Sequence, residues 1–235
     1  MKKSHIVMLP IFLLLIPATI YFVLRFSGRA YYVTSTLVMI ETLVPFLLAF
    51  ENRKPQAREL VVLAVMCALA VAGRVAIPIP SFKAIFGIIM IAGIAFGPES
   101  GFLVGAISAL ASNFFYSQGP YTPWQMMAYG AGGMLAGFVF AQGRLPRKPV
   151  VMGIFGFLAV AFFVGPLLDT CSVFLVMSRI SLKGAMAFYI SGFPVNLRQA
   201  VATAIVLLVL GKPLLEKLDR IKTKYGILDD GGKEA

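Results

Sequence analysis

The chain has 235 residues, of which 59% are hydrophobic and 13% are charged, and its mean hydropathy is +0.88. Ordinary soluble domains carry about 25% charged residues, so this composition excludes a soluble globular protein and indicates an integral membrane protein. The net charge of +11 would suit a nucleic-acid partner, but the basic residues cluster in short connections between apolar runs. That placement is typical of cytoplasmic loops, so we expect the lipid bilayer as partner and no nucleic acid.

Eight apolar runs predict an all-α integral membrane protein, since about 20 apolar residues suffice to cross a bilayer as a helix. An even number of spans puts both termini on one side. The basic loops place that side in the cytoplasm of a bacterial-type plasma membrane. Pro98, between the fourth and fifth runs, predicts a tight hairpin there. The runs are 4–25, 31–50, 58–77, 84–97, 100–117, 123–142, 150–176 and 188–211.

A polar loop at 51–58 divides a two-helix leader from six further spans. The leader begins like a secretory signal, but its apolar part is too long and Arg29 stands where a cleavage site would need small residues. We therefore expect a retained first span. The predicted units are a membrane extension at 1–50, a six-helix core at 51–216 and a basic, disordered cytoplasmic tail at 217–235.

The third apolar run carries alanines at four-residue spacing, Ala64, Ala68 and Ala72. In lipid, stripes of small residues allow the backbones of two helices to approach closely. From the residues alone, packing inside this protein is the favoured interpretation. A docking face for another membrane subunit is the alternative.

Residues 100–143 contain no charged side chain, and a polar, aromatic turn at 112–125 divides them into two helices. A row of small residues leads at four-residue spacing to Asn113, while Gln125 and Tyr129 share a face of the second helix. An unpaired amide is costly in hydrocarbon. We expect these groups to contact a ligand at the outer mouth of the bundle; hydrogen bonding between helices is the alternative.

Charged side chains are costly inside a membrane, so each one found there is a candidate functional residue. Arg74 either snorkels to the interface or faces the bundle. Asn196, Arg198 and Gln199 open the last run on the outer side, where they can converge with the polar turn. Asp169 is expected to pair with an arginine.

Enzymatic and metal chemistry are not expected. The sequence has no nucleotide-binding P-loop, no His-Glu-x-x-His helix and no Gly-x-Ser-x-Gly turn. Its only histidine is His5, and its two cysteines, Cys67 and Cys171, form no pair at metal-ligand spacing. We predict no catalytic residue, no metal and no cofactor.

Several of these stretches resemble the substrate-binding (S) components of energy-coupling factor (ECF) transporters, over about residues 57–212. The resemblance implies a six-helix, S-component-like bundle that binds a vitamin at its outer face, here preceded by two extra transmembrane helices. It also implies a transmembrane coupling subunit and two cytoplasmic ATPases as partners. The resembling segments are 57–74, 96–105, 112–115 and 119–125, and the last of them, a run with Gly, Pro and Trp, is the most specific.

With this resemblance, the alanine stripe would dock the coupling subunit, provided that the leader leaves it uncovered. Cobalamin is the preferred vitamin, bound as substrate and not as cofactor; folate, riboflavin, pantothenate and a queuosine precursor are alternatives. The predicted substrate contacts are Phe82, Asn113, Tyr116, Gln118, Trp124, Gln125, Tyr129, Asn196 and Arg198.

Two other classes of protein stay open at this point. A stand-alone, ion-coupled transporter of a small organic solute would need a coupling site, for which Asp169 and Glu41 are the available intramembrane carboxylates. A scaffold or assembly factor would bind no small molecule, and it would leave the polar turn unexplained.

Overall fold

The computed structural model describes residues 56–141, 143–177 and 181–226, together with isolated positions between 18 and 44. In this part of the chain every regular element is helical, which confirms the predicted all-α class. The two-helix leader, its retention as a span and the end of the tail lie largely outside the described residues. The α-helices are α1 Ala57–Val75, α2 Ile85–Phe96, α3 Pro98–Tyr116, α4 Thr122–Ala136, α5 Pro149–Ala159, α6 Gly165–Val176 and α7 Leu182–Tyr225.

Two π-helical segments lengthen these helices. Gly137–Ala141 extends α4, and Val160–Val164 joins α5 to α6 into one continuous stretch, Pro149–Val176. This stretch and α7 are each long and apolar enough to cross a membrane. The 44 residues of α7 correspond to a length of about 66 Å, roughly twice the apolar thickness of a bilayer. The end of α7 therefore extends well beyond the predicted run.

Both predicted turns between adjacent helices are confirmed. A single residue, Gly97, separates α2 from α3, and its φ of 93° lies in a region that glycine enters without strain. Pro98 then starts α3 at a position where a helix needs no backbone N–H. The polar turn is shorter than predicted, because α3 continues to Tyr116 and α4 begins at Thr122.

Helix α2 is the centre of the bundle, since all of its residues are buried and it packs against α1, α3, α4 and α7. Two cations cap its carboxyl end. Arg147 Nη2 donates to the Ile94 carbonyl at 3.2 Å, and Lys222 Nζ donates to the Ala95 carbonyl at 2.6 Å. Arg147 also pairs with Asp219 at 3.4 Å. Positive charge at a helix carboxyl end is favourable, so these contacts fasten the end of α7 to the central helix.

Glycines set the distance between α3 and α4. A methyl group on Gly105 would overlap the backbone of Tyr129 and Gly130, and one on Gly101 would overlap the backbone of Gly133. Backbone atoms cannot move aside as a flexible side-chain tip can. The two helices therefore pack backbone against backbone at this interface, as small-residue stripes in membrane proteins do.

We expect Gly105→Ala to lower the thermal midpoint of the purified protein in detergent, because overpacking of this kind costs about 1–3 kcal/mol. Gly211→Ala is the matched control, since its added methyl would meet the flexible tip of Met152. The control also gains helix propensity, so its midpoint should equal or exceed that of the wild type. Equal losses in both variants would contradict the close packing of α3 on α4.

Candidate functional site

A cavity of about 370 Å³ lies between α2, α4, the α5–α6 stretch and α7. It is near the end of the bundle at which α2 and α4 begin, and it extends along α6 from Gly165 to Val176. The cation cap of α2 is at the opposite end. Its lining combines polar and apolar side chains. The polar ones are Gln125, Asp169, Ser172, Asn196 and Gln199, and the apolar ones include Phe86, Val160, Val164, Leu168, Leu175 and Val195.

Two polar side chains of the wall pair across the interface between α6 and α7. Asn196 Nδ2 donates to Asp169 Oδ2 at 2.7 Å. In the described part of the chain, Asp169 thus has an amide as its partner and not the arginine expected from the sequence. Gln199 Oε1 is buried and has no hydrogen-bond partner among the described residues. A buried carbonyl oxygen of this kind is a ready acceptor for a ligand donor.

Each helix provides a glycine opposite the polar side chain of the other. A methyl group on Gly165 of α6 would overlap the Asn196 side chain, and one on Gly192 of α7 would overlap the Asp169 carboxylate. The absence of both methyl groups lets the pair form in the narrow space between the helices. The two glycines therefore help to fix the positions of Asp169 and Asn196.

The π-helical segment Val160–Val164 contributes apolar residues to the lining. Its first and last residues both line the cavity. These two residues are four apart and lie on one face of the helix, and π turns are frequent at functional sites. Phe86 of α2 is another apolar residue of the lining. Its ring packs edge-to-face with that of Tyr129, with centroids 4.6 Å apart.

Two of the nine predicted contacts, Gln125 and Asn196, line the cavity. Asn113 is fully buried behind it. Its Nδ2 donates to Gln125 Oε1 at 2.8 Å and to Thr122 Oγ1 at 3.2 Å, and its Oδ1 accepts from Arg74 Nη1 at 2.9 Å. Asn113 therefore has the helix–helix hydrogen bonds that were the alternative to a ligand. Arg74 faces the bundle.

The other predicted contacts lie around the cavity and not in its wall. Trp124 is buried and stacks on Phe174 with ring centroids 5.7 Å apart, and its Nε1 has no partner among the described residues. Tyr129 lies behind Phe86. The rest are half-buried or exposed near the same end of the bundle: Phe82, Tyr116, Gln118 and Arg198. Contact of these residues with a substrate stays a prediction.

Sequence reasoning did not include Asp169, Ser172 or Gln199 among the substrate contacts. The spacing of residues along each helix could have identified these three residues. Asn196 and Gln199 are three residues apart and share a face, whereas Arg198 is two residues from Asn196 and points elsewhere. Likewise Gly165, Asp169 and Ser172 follow one another at intervals of four and three residues along α6, and all three line the cavity.

The alanine stripe of α1 is on the outer surface of the described bundle. Ala64, Ala68 and Ala72 are all exposed, so the stripe does not pack inside it. Leu43, a described residue of the leader, packs against Phe102 and Ala106 of α3. Among the described residues, this face of α1 is open to close approach by another helix.

Comparison with known proteins agrees with this architecture. A protein-family profile described as ECF-type riboflavin transporter, S component, matches residues 54–216. No curated protein and no solved structure matches the chain. The match covers more than half of the chain and every residue that lines the cavity. It describes a transporter component and not an enzyme, and it confirms the resemblance that the sequence motifs indicated. The chain therefore belongs to the family of S components of ECF-type riboflavin transporters.

Proposed function

We propose that this chain captures riboflavin from outside the cell in the cavity between α2, α4, α6 and α7. A separate coupling subunit and two ATPases then supply the energy for uptake. The observation that carries the proposal is the mixed lining of the cavity, in which amide and carboxylate side chains lie beside apolar ones. The description of the matching family supports the same substrate.

A flavin ring suits a lining of mixed polarity because its two ends differ in chemistry. The pyrimidine end presents two carbonyl oxygens and an N–H between them, while the dimethylbenzene end is apolar. In the cavity, Gln125 uses its Oε1 for Asn113, which leaves Nε2 as a donor. Asn196 uses Nδ2 for Asp169, which leaves Oδ1 as an acceptor beside Gln199 Oε1. Donors and acceptors of both kinds are thus available for the pyrimidine end.

The size of the cavity argues against the preferred prediction from the sequence, cobalamin. Ligand pockets span about 300–1,000 Å³, and a cavity of about 370 Å³ is near the lower limit. A single flavin is of that scale, whereas a corrinoid is much larger. The family match gives cobalamin no support, and riboflavin was among the alternatives.

The orientation follows from the distribution of charge. Arg147 and Lys222 meet at the end of the bundle opposite the cavity, close to Arg144, Lys148 and Arg220 along the chain. By the positive-inside rule this end is cytoplasmic. The cavity then opens toward the outside, where a capture subunit needs it, and the end of α7 projects into the cytoplasm.

The partner subunit is proposed to dock on the alanine stripe of α1. The exposure of Ala64, Ala68 and Ala72 supports this, because small residues on a lipid-facing helix permit close contact with another helix. The stripe belongs to the 51–216 core, and we propose that the leader at 1–50 is a separate extension.

The first test is mass spectrometry of the small molecules that co-purify with the protein from cells grown in rich medium, followed by titration of the ligand-free protein with riboflavin. We expect stoichiometric riboflavin in the first experiment and quenching of flavin fluorescence in the second. Cobalamin in place of riboflavin, or no binding of riboflavin, would contradict the assignment. ATP-independent uptake by this chain alone in vesicles with an ion gradient would instead identify a secondary transporter.

A further inference from the structure

We propose that Arg74 is a positioning residue that determines, through Asn113, which end of the Gln125 amide faces the cavity. The inference rests on the proposed function only in its choice of ligand, riboflavin. Arg74 does not line the cavity. It lies in the last turn of α1, the same helix that bears the alanine stripe.

The chain of hydrogen bonds has a defined direction. Arg74 Nη1 donates to Asn113 Oδ1 at 2.9 Å and also to Ser112 Oγ. A guanidinium has five donors and no acceptor. It therefore requires the oxygen of the Asn113 amide on its own side, and the Asn113 nitrogen must point the other way.

The Asn113 nitrogen then sets the next amide. Nδ2 donates to Gln125 Oε1 at 2.8 Å and to Thr122 Oγ1 at 3.2 Å. Because this contact needs an oxygen from Gln125, Gln125 keeps its Nε2 for the cavity. Thr122 Oγ1 donates to Gln118 Oε1 at 2.9 Å, and Gln118 is exposed, so this contact can be exchanged. Without a donor-only group at the start, both amides could then rotate together, with the Thr122 hydroxyl donating to Asn113, and present an oxygen to the ligand instead.

The surroundings of Arg74 hold the guanidinium in place. It lies over the ring of Tyr116, 4.9 Å from the centroid, and over the ring of Tyr129 at 5.6 Å. The Tyr116 hydroxyl donates to the Arg74 carbonyl at 3.0 Å. Cation–π contacts of this kind favour arginine over a neutral side chain. These contacts therefore hold the Arg74 guanidinium as a fixed cation that does not itself contact the ligand.

A double-mutant cycle on riboflavin affinity tests the proposal. We expect Arg74→Met and Gln125→Leu each to weaken binding about tenfold, the scale of one lost hydrogen bond in a buried site. The double variant should bind no more weakly than Gln125→Leu alone, since Arg74 acts through Gln125. Lys83→Met is the control, because Lys83 is a cation near the same end that donates to the Ile77 carbonyl. Additive losses would overturn the proposal, as would an equal loss in the control.

A second measurement tests the relay of hydrogen bonds from Arg74 through Asn113 to Gln125, whether or not riboflavin is the ligand. In the ligand-free protein, amide hydrogen exchange in the peptide that spans 118–126 should be faster in Arg74→Met than in the wild type and unchanged in Lys83→Met. Unchanged exchange in Arg74→Met would overturn the relay. Failure of the wild type to bind riboflavin, with faster exchange in Arg74→Met, would overturn only the proposed substrate.

Discussion

Riboflavin uptake should fall to background in cells that carry the coupling module when Ala64 and Ala68 are both replaced by leucine. The purified variant should keep wild-type riboflavin affinity. Leucine suits lipid as well as alanine does, so the fold is not expected to suffer at these exposed positions. The added bulk separates the backbone of α1 from a docking helix, and close backbone approach is what a small-residue stripe permits.

Uptake of labelled riboflavin and binding to the purified protein are the two measurements. Val209→Phe provides a control of added bulk on a different helix, because Val209 of α7 is 64% exposed. It should leave both uptake and binding unchanged. Normal uptake in the Ala64→Leu/Ala68→Leu variant would contradict docking on this face. Loss of riboflavin binding in the same variant would indicate a folding defect.

Riboflavin affinity should fall about 5- to 150-fold in Asn196→Leu, since removing one partner of a buried hydrogen bond costs about 1–3 kcal/mol. The variant removes the proposed acceptor Asn196 Oδ1. It also deprives Asp169 of the amide that donates to it at 2.7 Å. Fluorescence titration of the purified variant measures the loss, and the thermal midpoint verifies that the protein is folded.

Arg198→Ala is the comparison for Asn196→Leu and also tests the sequence prediction that Arg198 contacts the substrate, because Arg198 is on the same helix but is exposed and does not line the cavity. Its Nε donates to the Pro194 carbonyl at 3.3 Å. We expect its affinity to equal that of the wild type. A loss in Arg198→Ala as large as that in Asn196→Leu would move the binding site from the cavity to the outer surface of α7.

Part of the candidate site was predictable because some of its signals are local. Gln125 and Asn196 are amides near the starts of apolar runs, where a membrane protein needs a reason for each polar group. The cost of an unpaired amide correctly indicated that Asn113 needs partners. It did not distinguish a ligand from neighbouring helices, since both satisfy the same donors and acceptors. The contacts to Arg74, Thr122 and Gln125 are set by the packing of α1 and α4 against α3.

The sequence by itself determined the class of protein, the all-α fold, the positions of the turns and the family. These follow from hydropathy, from Gly and Pro at chain reversals and from short motifs, all of which are local in the chain. Only the tertiary structure decided which polar residues line a common cavity. Asp169 and Asn196 are far apart in sequence, and they meet because Gly165 and Gly192 leave room for them between α6 and α7. Such a fit depends on the distance between two helices, which no local pattern encodes.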